Sequence, residues 1–110
     1  MTVEAIEAAL DGAQDADDGL RETVRILASG HGISWAGIAF QEEGGLVLGP
    51  CAGDEDVERR TRLTISYQGR VVGELWADGE PDHTLLARVA ELISAHVLLG
   101  WDTGGQAWEP

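Results

Sequence analysis

Apolar residues recur at helical spacing through Val3, Ile6, Ala9, Leu10 and Ala13, while Glu4, Glu7 and Asp11 fall on the opposite side. This predicts a first amphipathic helix, with Thr2 placed to cap it. The stretch "DGAQDADDG" interrupts the pattern, and Leu20, Val24 and Leu27, widened by Ile26, mark the buried stripe of a second helix. Asp17 or Asp18 is the expected cap, since clustered acids suit a positive helix start. "GHG" at 30–32 should end this helix.

The period then shortens from 3.6 to 2. "ISWAGIAF" (33–40) alternates, "QEEGG" (41–45) reads as a turn, and "LVLGP" (46–50) as the returning strand, with Pro50 at its end. Residues 51–61, "CAGDEDVERRT", show no strand pattern. Glu55–Arg59, Asp56–Arg60 and Glu58–Arg62 stand at i,i+4, which predicts a helical turn held by weak self-neutralising pairs. "RLTISYQ" (62–68), a turn at Gly69-Arg70, and "VVGELWAD" (71–78) form a second hairpin.

A last helix follows Asp82, its expected cap, and carries Leu85, Leu86, Val89, Leu92, Ile93, Val97 and Leu99 until Gly100 stops it. The order helix, helix, four strands, helix predicts an α+β domain over 1–100. It has an antiparallel sheet of about four strands, with the N- and C-terminal helices packed on one face. Residues 101–110, "WDTGGQAWEP", form a separate tail with Trp101 and Trp108.

Strand alternation divides the side chains between two faces. Ala36, Ile38 and Phe40, with Val71, Gly73, Leu75 and Ala77, should pack under the helices. Trp35, Gly37 and Ala39, with Val72, Glu74, Trp76 and Asp78, should point the other way. Two tryptophans beside two carboxylates on a face without helices need a cover. A small ligand, a second subunit or the chain's own tail would supply it.

Charge narrows the partners. Twenty acidic residues stand against seven basic ones, all arginine, for a net charge of −13. Such a field repels phosphate, so neither nucleic acid nor an anionic membrane surface is expected as a partner. The absence of lysine excludes Schiff-base chemistry on a lysine. Cys51 is the one cysteine, which fits a reducing compartment and allows no internal disulfide. Residues 1–18 have neither a basic segment nor an apolar core, and "LISAHVLLGW" is too short to span a bilayer. A cytoplasmic protein is expected. His31, His83 and His96 are too scattered for a metal site, and no phosphate loop, serine elbow or dinucleotide fingerprint is present. No metal, cofactor or catalytic residue is assigned.

"GRVVGELWADGEPDHTLLARVAELISAHVLLG" resembles the last third of a GAF domain, and "ISWAGIAFQEEGGLVLGP" resembles that family's first hairpin. Within the family, "SWAGIAF" and "LVLGP" are most similar to the free methionine-R-sulfoxide reductases. The resemblance places Trp35 against a substrate and Asp78 on the second of two acids that hold its amine. Trp76 stands at the first acid position, and Ala39 where an aromatic is expected. The reductases carry catalytic cysteines in a loop and cap that correspond here to residues 51–61, which lack the Gly-x-Cys-Gly signature. The cap is read as deleted.

Sulfoxide reduction also needs a thiolate and a resolving thiol. Cys51 would have to borrow the second and stands beside Asp54, Glu55 and Asp56, which disfavour a thiolate. It is expected to be a small, partly buried residue. The resemblance thus implies a minimal, non-catalytic GAF-like domain for a small amino-acid-like ligand, with Trp35, Glu74, Trp76 and Asp78 as the binding residues. The rival readings are a homodimeric assembly module with the tail as its clasp, and a weak reductase using Cys51.

Overall fold

The computed structural model describes the backbone of residues 2–29 and 32–107, and the side chains of 3–29 and 32–97. Three α-helices and four strands follow in the order α1 (Thr2–Gly12), α2 (Ala16–Ala28), β1 (Ile33–Glu42), β2 (Gly45–Gly53), β3 (Arg60–Tyr67), β4 (Arg70–Gly79) and α3 (His83–Ala107). A 3-10 turn, Val57–Arg59, precedes β3. The sheet is antiparallel throughout, in the order β2-β1-β4-β3. This is the α+β architecture that the hydrophobic pattern predicts.

Helix α2 packs on β1 and β2, α3 on β3 and β4, and α1 lies against both helices. Between helices and sheet, Leu20, Val24 and Leu27 meet Ile38, Phe40, Leu75, Leu86, Val89, Ile93 and Val97, all at or below 1% exposure. Burying each such side chain stabilises the fold by about 1.5–3 kcal/mol before chain entropy is charged against it.

Several boundaries differ from the expectation, each for a local reason. Asp15, not Asp17 or Asp18, caps α2: its Oδ1 accepts from the Asp18 N–H at 2.8 Å, the third residue of the first turn. Asp15→Ala is therefore expected to cost about 1 kcal/mol in urea unfolding, and Asp18→Ala distinctly less. Thr2 lies inside α1 and not ahead of it. Gly30 and His31 fall outside the described residues; Ser29 closes α2, with its N–H and hydroxyl both donating to the Ile26 carbonyl. Gly32, at φ +77°, turns the chain into β1. Asp82 does cap α3, accepting from the Thr84 N–H at 2.9 Å. The helix continues through Gly100 to Ala107, because glycine inside a helix costs only about 1 kcal/mol relative to alanine and does not forbid it. Trp101 lies on this extension, and Trp108 falls outside the described residues.

The strands are longer than their alternation suggests. β2 passes Pro50 and ends at Gly53, because Pro50 sits on an edge strand at a register shift where no ladder donor is required. β3 starts at Arg60, inside the segment read as helical. Gln68 and Gly69 both have positive φ, the geometry of a two-residue hairpin turn that follows the strand twist. Another register shift lies opposite Val72, between Ile65–Gly73 and Ser66–Val71. It inverts the expected order there: Val72 enters the core at 5% exposure and Val71 is 47% exposed.

Candidate functional site

Directly paired residues of an antiparallel sheet share a face. On the face away from the helices, the register builds three rows across the four strands. Gly53, Trp35, Asp78 and Arg60 form the first; Cys51, Gly37, Trp76 and Arg62 the second; Leu48, Ala39, Glu74 and Thr64 the third. Trp35, Glu74, Trp76 and Asp78 thus come together on one surface, as their alternation implies.

Gly37 makes room for the first tryptophan. A Cβ at that position would lie 2.5 Å from Trp35 Cη2, so the indole rests on the bare glycine. Arg60 covers it from β3, with the guanidinium carbon 4.4 Å from the Trp35 ring centroid and 5.2 Å from that of Trp76. Arg62 stacks in turn on Trp76 at 4.7 Å. The order Trp35, Arg60, Trp76, Arg62 is an alternating ladder of indoles and guanidinium groups, each contact worth about 0.5–2 kcal/mol according to how far water is excluded. The face is not bare, and Trp35 is only 3% exposed. The cover comes from two arginines: Arg60, which lies in the segment expected to form a helical turn, and Arg62, the first residue of the expected strand.

The carboxylates differ sharply in environment. Asp78 is fully buried and accepts three hydrogen bonds: Arg60 Nε to Oδ1 at 2.7 Å, Arg60 Nη2 to Oδ2 at 2.9 Å, and the Asp56 N–H to Oδ2 at 2.7 Å. Burial pushes its pKa up, but these bonds and the guanidinium charge outweigh burial and hold the carboxyl below its ordinary value. The same hydrogen bond to Asp78 outweighs burial at Arg60 and raises its pKa further above the ordinary arginine range. Arg60 also reaches Glu55 at 3.0 Å.

Glu74 is more open. Its Oε1 accepts from Trp76 Nε1 and Arg62 Nε, each at 2.8 Å, and its side chain is 23% exposed against 52% for Arg62. The i,i+4 pairing expected in 55–62 is replaced. Arg59, in the 3-10 turn, pairs with Glu80, and Arg60 reaches both Asp78 and Glu55; Arg60 and Arg62 meet Asp78 and Glu74 because β3 carries their side chains across the sheet. Cys51 is exposed on edge strand β2, not partly buried, since its register partner is the side-chain-free Gly37. Arg60 and Arg62 had one signal in the sequence. Their alternation with Thr61 and Leu63 is a strand pattern, which their proximity to three acids masked.

No family model matches the sequence, and no curated protein matches it. Solved structures do match. The GAF domain of an Acinetobacter phosphoenolpyruvate-protein phosphotransferase is 13% identical with a TM-score of 0.74, over 94% of this chain and 95% of that one. A free methionine-R-sulfoxide reductase from Neisseria meningitidis, solved in complex with its substrate, is 18% identical with a TM-score of 0.66, over 96% of this chain and 89% of that one. The type II reductase from Thermoplasma acidophilum is 16% identical with a TM-score of 0.62, over 74% and 92% respectively. With helices on one face of the antiparallel sheet and the tryptophan ladder on the other, the chain has the GAF fold.

Proposed function

We propose that this chain is a non-catalytic GAF-like sensory domain. It binds a small, amino-acid-like ligand through a cationic group on the face carrying Trp35, Glu74, Trp76 and Asp78. The observation that carries the reading is the half-buried pair of Glu74 and Trp76 beside an open arginine. The indole N–H holds the carboxylate in place, while the partner guanidinium is half open to water.

An ion pair as exposed as Glu74–Arg62 contributes about 0–1 kcal/mol, so a ligand ammonium replaces Arg62 at little cost. Asp78 behaves differently. Breaking its buried pair costs about 3–5 kcal/mol, so it serves as the residue that positions Arg60 between the indoles. The likeness to substrate-bound reductases supports an amino-acid-like class of ligand. A single exposed cysteine supplies no resolving thiol within the chain, which supports binding over turnover.

Titrating tryptophan fluorescence with methionine, methionine sulfoxide and matched carboxylic acids lacking the amine tests the reading. A saturable response to amines is expected, weakened about tenfold or more by Glu74→Gln with the far-UV circular dichroism unchanged. A flat response to every amine, or full retention of binding by Glu74→Gln, rejects it.

A further inference from the structure

The deeper half of the same face already contains a cation. We propose that Trp35, Asp78 and Trp76 form a guanidinium cage that the chain fills in cis with Arg60, a built-in competitor for any cationic ligand reaching that half. The inference rests on the reading of this sheet face as the binding face.

Geometry specifies the chemical class. The two carboxylate oxygens of Asp78 each take a separate N–H from the Arg60 fork, at 2.7 and 2.9 Å, while the flat guanidinium lies over two indole rings. A bidentate fork and a stackable plane are properties of guanidinium and not of ammonium. The third bond to Asp78, from the Asp56 N–H, fixes the carboxylate independently of its occupant.

The cage and its occupant also come from different places in the chain. Trp35 lies on β1, and Trp76 and Asp78 on β4, the two central strands, whereas Arg60 is the first residue of edge strand β3. Its side chain runs along this row past Asp78 to reach Trp35, and is 15% exposed. Truncating Arg60 therefore removes the occupant while the central strands keep the walls. The buried Asp78 charge that remains is a strong demand for a replacement cation.

The test is chemical rescue of Arg60→Ala with methylguanidinium chloride at constant ionic strength, followed by tryptophan fluorescence and thermal melting. Methylammonium, urea and sodium chloride serve as controls. Saturable recovery of the melting temperature is expected with methylguanidinium, which should bind about tenfold tighter than methylammonium through its second charged hydrogen bond. Urea and sodium chloride should give no saturable recovery. The wild type should not respond, and Arg60→Ala/Asp78→Asn should have lost the response.

Absence of saturable recovery in Arg60→Ala overturns the proposal, as does an equal response from the wild type or survival of the response without the Asp78 charge. If Arg60→Ala does not fold unaided, Arg60→Gln, which keeps the aliphatic stem, carries the same assay. Should both be unfolded, refolding on addition of methylguanidinium, read by circular dichroism, is the expected result, and failure to refold overturns the cage. A wild type that ignores every amino acid would reject the Glu74 reading while leaving this outcome free to fall either way.

Discussion

Asp78→Ala is expected to destabilise the domain by about 3–5 kcal/mol, because it strands the Arg60 guanidinium in a site from which water is largely excluded. Arg60 loses both hydrogen bonds to Asp78 at once and keeps only the exposed Glu55, while the Asp56 N–H loses its carboxylate acceptor. Urea is the denaturant of choice here, since guanidinium would compete for the groups under study.

Arg60→Met should also destabilise, by leaving Asp78 as the uncompensated buried charge. Asp78→Leu/Arg60→Met, which removes both charges, should cost much less than the sum of its parts. Strict additivity would mean that the pair is not coupled. Acid adds an independent check. The folded carboxyl lies below its ordinary value, so its contribution is complete above the unfolded value near 3.9 and is lost as pH falls through the lower folded value. The stability gap between wild type and Asp78→Asn should therefore be constant from neutral pH down to about pH 4 and close below it. A gap that widens on acidification would contradict this assignment.

The four residues proposed for ligand recognition could be placed on one face from their alternation, because β1 and β4 are central strands whose pleat is pinned on both sides. Charge placement was less legible. In "DEDVERRTR" the acids stand at helical spacing from the arginines, and i,i+4 pairing is the simplest local account of such a segment. What decides otherwise is non-local. Asp78 and Glu74 lie across the β3–β4 ladder from Arg60 and Thr64, within reach of the arginine side chains. A buried carboxylate that accepts both N–H arms of the Arg60 guanidinium outweighs an exposed partner four residues away. Val71 and Val72 show the same limit, since a strict period of two cannot anticipate the register shift that exchanges their faces. The buried stripe of the second helix, Leu20, Val24 and Leu27, is by contrast legible residue by residue, because it needs only local spacing, whereas the cap is Asp15 and not the expected Asp17 or Asp18.

Phe40 illustrates how a local sequence choice supports packing in the core. It is the one phenylalanine, 1% exposed, and a Cβ at Gly49 would fall 2.1 Å from its Cε2. The ring occupies the space that a side chain at 49 would need. Phe40→Ala is expected to cost about 3–5 kcal/mol in urea unfolding, from lost transfer energy and the cavity left behind. Gly49→Ala should cost about 1–3 kcal/mol for the opposite reason, because the buried ring must move and the interior is already packed.

The double variant should then be less destabilised than the two costs together, by about 1 kcal/mol or more, since the new methyl group enters the space vacated by the ring. A domain of ordinary stability has about 5–15 kcal/mol to lose, so Phe40→Leu offers a gentler version in which the coupling keeps its sign. If the costs simply add, Gly49 is needed for the backbone of the bulged edge strand and not for the ring. That result would move the explanation from packing to the register shift beside Pro50.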